Sequence, residues 1–205
     1  MGTADHIIVR ISRDFVRLFA VALLTTAAAT AQTSLQLDPA KTTVQFTLDA
    51  ALHTVHGTFQ AKPGALQFDP AAGQVSGEVL VDARSGQTGN GMRDRKMHTE
   101  VLESANYPDI SFRPVHVDGV VATAGKSSVM VHGIFRIHGT DREINVPAQI
   151  EMSEDRWSVT VHFTVPYEKW GMKNPSTFFL RVSNSVEIDV TVAGSVLKHP
   201  PDSSQ

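Results

Sequence analysis

A chain of 205 residues, 41% apolar and 19% charged, is long enough to bury one sizeable core and too apolar to stay unfolded. Its net charge of −3 offers no basic field for nucleic acid. The absence of cysteine excludes disulfides, thiolate nucleophiles, Cys-ligated zinc and lipidation at cysteine.

Arg10, Arg13 and Arg17 precede an uncharged apolar run from Leu18 that is short for a membrane span and ends in Ala29-Thr30-Ala31. A basic start, an apolar stretch and a small-x-small ending predict a secretory signal peptide over residues 1–31, cut before Gln32. Losing the three arginines together with Asp5 and Asp14 leaves a mature chain near −4 with no stable membrane span.

Beyond the signal, apolar residues alternate. Val44, Phe46 and Leu48 begin the pattern, and Val55, Gly57, Phe59 and Ala61 continue it. Lys62-Pro63-Gly64 reads as a turn, and Leu66 and Phe68 form a short strand ended by Asp69-Pro70. Val75, Gly77, Val79 and Val81 make another strand. After Arg84 the period changes: Met92, Met97, Val101 and Leu102 recur at helical spacing, while Gly89 and Gly91 limit the insert to one or two short helices. Tyr107-Pro108 restarts extended chain toward Ile110 and Phe112. Three further alternating runs follow, Val129 to Ile137, Ile144 to Met152 and Trp157 to Val165, with a tight connection at Gly139-Thr140-Asp141 between the first two. A long loop from Pro166 to Leu180 precedes a last strand over Val186 to Val192, and residues 196–205 read as a disordered tail. Roughly eight to ten strands joined by hairpins describe an all-β antiparallel protein, sandwich or barrel, with one short helical insertion. Residues 32–195 form one domain.

Five segments in fixed order are informative together: Val55-His56-Gly57-Thr58-Phe59; Thr88-Gly89-Asn90 with Met92-Arg93-Asp94; Tyr107-Pro108 with Ile110 and Phe112; Val131-His132-Gly133 through His138-Gly139-Thr140; and Trp170-Gly171-Met172 before Val186. In this order, behind a signal peptide, they resemble the YceI family over nearly all of residues 34–193. The resemblance implies a periplasmic, lipocalin-like antiparallel barrel, often dimeric, whose interior holds a long isoprenoid or quinone-like chain as ligand, with no cofactor. The second half of the Pro166–Leu180 loop does not map onto that pattern.

Inward residues of a small barrel either fill a core or line a cavity. The candidates are Phe46, Val55, Phe59, Phe68, Val79, Phe112, Phe135, Val146, Val161 and Phe163, and the resemblance makes them a tunnel lining. Gly57, Gly77 and Gly133 share the apolar phase, marking a bend, a bulge, a close backbone approach or room for a ligand. Met92 and Met97 suit a flexible lipid chain or ordinary packing. Arg93, Arg95 and Lys96 beside them are candidates to hold a phosphate or pyrophosphate head group, or else form a solvated face with Arg93 paired to Asp94. Trp170, Met172, Phe178 and Phe179 plug a barrel end, gate a ligand or pair with another subunit. The eight histidines left after signal removal show no ligand spacing for zinc or copper, and no Gly-x-Ser-x-Gly elbow supports a hydrolase. The expected function is non-enzymatic carriage of an isoprenoid-type lipid. Its rival is a filled barrel that binds a partner, or its own copy, through the Trp170 loop.

Overall fold

The computed structural model describes residues 32–176 and 181–197. The expected signal peptide, Phe178, Phe179 and residues 198–205 lie outside the described residues. Eleven strands account for most of the described residues: β1 Thr33–Leu37, β2 Thr43–Asp49, β3 Thr54–Ala61, β4 Gly64–Asp69, β5 Gln74–Gly77, β6 Val79–Gln87, β7 Asp109–Asp118, β8 Gly125–Ile137, β9 Thr140–Met152, β10 Arg156–Val165 and β11 Val186–Leu197. Helix α1, Gly91–Lys96, continues into a π-helical turn, Met97–Val101, between β6 and β7.

All pairings are antiparallel, and they close. β11 pairs with both β1 and β2, β4 with β1, β3 with β2, and β7 with both β5 and β6. Three pairs of short strands are therefore collinear: β1 with β2, β3 with β4, and β5 with β6. With β7 to β11 they form eight staves in chain order, closed by β11 against β1 and β2. This resolves the choice between sandwich and barrel, because closure removes both sheet edges.

Each break has a local cause. Asp38 caps a 3-10 turn, Pro39–Lys41, by accepting from the Ala40 amide at 3.0 Å. Pro63 interrupts the second stave. Gly77 breaks the third with φ +104, where a β-carbon would lie 2.4 Å from the Ala65 carbonyl oxygen. The β8–β9 hairpin turns on His138 (φ 51) and Gly139 (φ 72), the two left-handed residues of a tight hairpin turn, one position earlier than expected. Two expectations need correction. Thr33–Leu37 is a strand not anticipated from sequence, with Leu35 and Leu37 buried. Val196 and Leu197 belong to β11 and not to the tail, since they pair with Leu35 and Ser34.

The meander sorts the connections into two ends. Residues 50–53, the 88–108 insert, the β8–β9 turn and the β10–β11 loop lie at one end, here the insert end. The turns after β4, β7 and β9 lie at the other. β8 and β9 alternate almost strictly, apolar inward and polar outward. Outward positions elsewhere carry Gln45, Thr160, His162, Thr164 and Asp189, so the polar face meets solvent. A membrane-spanning barrel wears the opposite pattern. Among the described residues no helix is long and apolar enough to cross a membrane.

Candidate functional site

The barrel is hollow. A cavity of about 640 Å³ runs from Leu35, Leu66 and Trp157 at the far end to Met92, Met97 and Lys96 at the insert end. Its size lies within the range of small-molecule sites. Phe46, Val55, Phe59, Phe68, Val79, Phe112, Phe135, Val146, Val161 and Phe163 all line it, as do Met92 and Met97. Period-two alternation puts these side chains on one face of each strand, and closure points every such face at the axis. Hollowness also explains why Val79, Phe112, Val161 and Phe163 are only half-buried despite pointing inward. Tight clusters form at the ends instead. One gathers Leu35, Phe68, Val131 and Trp157; the other gathers Leu102, Phe135, Val165 and Tyr167.

Two of the inward glycines make room for neighbours, not for a ligand. A β-carbon on Gly57 would lie 2.3 Å from the Phe46 ring, and one on Gly133 would lie 2.5 Å from the Phe112 ring and 2.6 Å from the Arg113 carbonyl oxygen. These glycines let the aromatic rings lie flat along the wall.

The insert forms one lip of the cavity. The Asn90 side chain caps α1 by accepting from the amides of Met92 and Arg93, both at 3.1 Å. The Asp94 carboxylate accepts from the Thr88 amide at 2.8 Å and from its hydroxyl, and Arg93 Nε donates to the same hydroxyl oxygen at 2.8 Å. Asp94 thus pairs with Thr88 and not with Arg93. Lys96 Nζ donates to the Pro175 carbonyl at 2.8 Å, tying the insert to the β10–β11 loop. At the other end of the insert, His98 bridges the Gly86 carbonyl (2.9 Å) and Ser104 Oγ (3.0 Å).

Of the expected head-group cations, Arg93 and Lys96 line the cavity, and Arg95 does not. Successive helical residues point about 100° apart, so Arg95 faces solvent when Arg93 and Lys96 face the mouth. Among the described residues, no carboxylate lies within ion-pair distance of either Arg93 or Lys96.

Trp170 was expected among the lipid-binding residues. It does not line the cavity. Its ring packs 6.0 Å from Phe135 and carries the Arg142 guanidinium 5.0 Å from its centroid, while Arg142 Nη2 donates to its carbonyl at 3.0 Å. The loop residues that do reach the cavity include Tyr167 and Met172, 4% and 3% exposed, and Pro175. Tyr167 donates its hydroxyl to the Ser183 carbonyl, and burial pushes its pKa up to about 12. Met172 packs with Leu102, Phe135 and Tyr167 in the cluster at the insert end. Tyr167 escaped notice because a tyrosine beside a proline in a loop carries no periodic signal.

His132 and His162 sit on the polar faces of β8 and β10, outside the barrel. His132 contacts Asp118 (2.6 Å) and Asn145 (2.7 Å), and His162 contacts Asp189 (2.8 Å). Among the described residues no group of three or more histidine and acidic side chains is arranged to hold a metal.

A family model described as YceI-like domain matches residues 35–193. The structure of Burkholderia cenocepacia BcnA is similar, with TM-score 0.63 and 17% identity over 77% of this chain and 99% of that one. A polyisoprenoid binding domain from Saccharophagus degradans, implicated in plant cell wall breakdown, is similar with TM-score 0.65 and 17% identity, covering 80% and 98%. The Campylobacter jejuni YceI protein follows with TM-score 0.58 and 16% identity, covering 72% and 88%. No curated protein matches the chain. At these identities the structural likeness establishes the fold.

Proposed function

The chain belongs to the YceI-like domain family, and from that premise we infer that it is a non-catalytic carrier of an isoprenoid-type lipid, polyprenyl or quinone-like, held in the barrel. The observation that carries this reading is the continuous apolar cavity of about 640 Å³. The similarity to a polyisoprenoid binding domain supports the same ligand class. Each 100 Å² of prenyl surface moved from water into the cavity contributes about 2.5 kcal/mol, offset in part by ordering of the chain. Arg93 and Lys96 sit where the head group emerges, with donors for phosphate oxygens or quinone carbonyls. The basic, then apolar, N-terminal segment supports export to the periplasm.

The rival reading, a filled barrel binding through the Trp170 loop, has less support. The interior is hollow, and the Trp170 ring is already engaged by Phe135 and Arg142.

Trp157 lines the cavity and is 3% exposed, which makes it an internal reporter. In a Trp170→Phe background, titrating delipidated protein with a long-chain quinone should quench Trp157 fluorescence and saturate near one equivalent. Fluorescence that stays flat through the titration would contradict the carrier reading.

A further inference from the structure

The cavity mouth combines bare apolar tips with a local excess of positive charge. Leu52, in the β2–β3 turn, is 81% exposed, and Met92, on α1, is 84% exposed. Ala50 and His53, flanking Leu52, line the mouth, as does Met92 itself. Backbone contacts weld the lip together. Ala50 bridges Val182, the Ala51 amide donates to the Arg181 carbonyl at 2.9 Å, and Lys96 reaches Pro175 across the opening.

Arg93, Arg95, Lys96, Lys173 and Arg181 all belong to these lip segments. Lys169 joins them, and against these six cations stand four acids: Asp94, engaged by Thr88, Glu100, bonded to Lys173 at 2.7 Å, Glu103 and Glu168. A chain of net charge −3 thus concentrates cations around the one opening framed by its helical insert. The far end has an exposed apolar tip too, Val120 at 86%, but its neighbouring turn carries Glu154 and Asp155. Charge distinguishes the two ends.

An exposed leucine and methionine amid arginines and lysines, around a lipid-sized opening, match the chemistry of an anionic phospholipid surface: apolar tips enter the interface and cations meet the head groups. We propose that the insert end docks on anionic bilayers, with Leu52 and Met92 dipping into the interface, so that cargo passes between membrane and barrel without crossing water. The proposal rests on the carrier reading above and adds where the carrier loads and unloads.

The test is flotation of the mature protein with vesicles of phosphatidylethanolamine and phosphatidylglycerol, against vesicles of phosphatidylcholine alone. Each preparation is also assayed by native mass spectrometry for lipid held in the barrel. Leu52→Ser and Arg95→Glu are the informative variants, because neither residue lines the cavity. The expected result is salt-sensitive flotation with anionic vesicles only, reduced about five-fold or more by Arg95→Glu, reduced also by Leu52→Ser, with bound lipid unchanged in both. Equal flotation with both vesicle types, none with anionic vesicles, or variants that float like the parent would overturn docking while leaving the carrier reading intact. A parent protein that neither carries nor takes up lipid would overturn the carrier reading and the proposed transfer with it.

Discussion

The ring of Phe46 occupies the space that a side chain on Gly57 would need. The two residues face each other across β2 and β3, and a β-carbon on Gly57 would sit 2.3 Å from the ring and 2.7 Å from the Gln87 carbonyl oxygen. Phe46 is thereby laid along the wall with its ring centroid 5.4 Å from that of Phe59. The cavity beside it stays open because the aromatic lies over glycine instead of projecting to the axis.

Gly57→Ala should therefore destabilise the protein by about 1–3 kcal/mol through overpacking, although alanine suits most strand positions better than glycine. Urea denaturation measures it. A variant as stable as the parent would mean that Phe46 moves freely into the cavity.

Filling the barrel should separate binding from folding. Val161, paired with Val190 in mid-barrel, points into open space. Val161→Phe should change stability by less than about 1.5 kcal/mol while lowering bound lipid roughly ten-fold or more. Melting temperature and extracted lipid per protein report the two effects. Phe135→Ala is a poorer probe of the cavity: its ring contacts Phe163 at 5.7 Å and Trp170 at 6.0 Å, so its loss should cost about 3–5 kcal/mol of stability.

At the mouth, the double variant Arg93→Gln, Lys96→Gln removes both lining cations. Affinity for a prenyl phosphate should fall by about 1.5–3 kcal/mol, and affinity for an uncharged prenyl alcohol should change far less. Isothermal titration with the two ligands measures the contrast, and equal losses for both would remove these residues from head-group recognition.

On the outer wall, the His132 hydrogen bond holds Asp118 below the usual carboxylate range, and the same bond raises the His132 imidazole above its ordinary value. The raised histidine contributes stability that is complete below its unfolded value, about 6.5, and is lost as pH rises through its folded pKa. The depressed aspartate contributes above about 3.9 and loses its effect as pH falls through its folded pKa. His132→Gln should thus lower the melting temperature more at about pH 5.5 than at about pH 8.5. The effect is small because the pair is exposed. A penalty independent of pH would show that the contact is not ionic.

The long staves were legible because their alternation runs uninterrupted: every second residue from Val129 to Ile137 faces inward, as its period requires. Closure was not legible from residues alone, since alternation identifies a face but not which distant faces converge. The short collinear strands escaped for a related reason. Leu35 and Leu37 are too few to establish a period, and only pairing with both β4 and β11 makes them a strand. In the mouth, the helical insert was visible through the spacing of Met92, Met97, Val101 and Leu102. Its orientation was not, and orientation decides that Lys96 lines the cavity and Arg95 does not. In the β10–β11 loop the most conspicuous aromatic, Trp170, proved peripheral. Arg142 holds it from an inward-phase strand position where sequence suggests an apolar residue.

The most direct test of the carrier reading is native mass spectrometry, with solvent extraction, of mature protein exported and purified without detergent. The account predicts a one-to-one adduct of isoprenoid-like mass, released by organic solvent and restored by incubation with a polyprenyl phosphate or a long-chain quinone. A bare mass that stays bare after both incubations would contradict it.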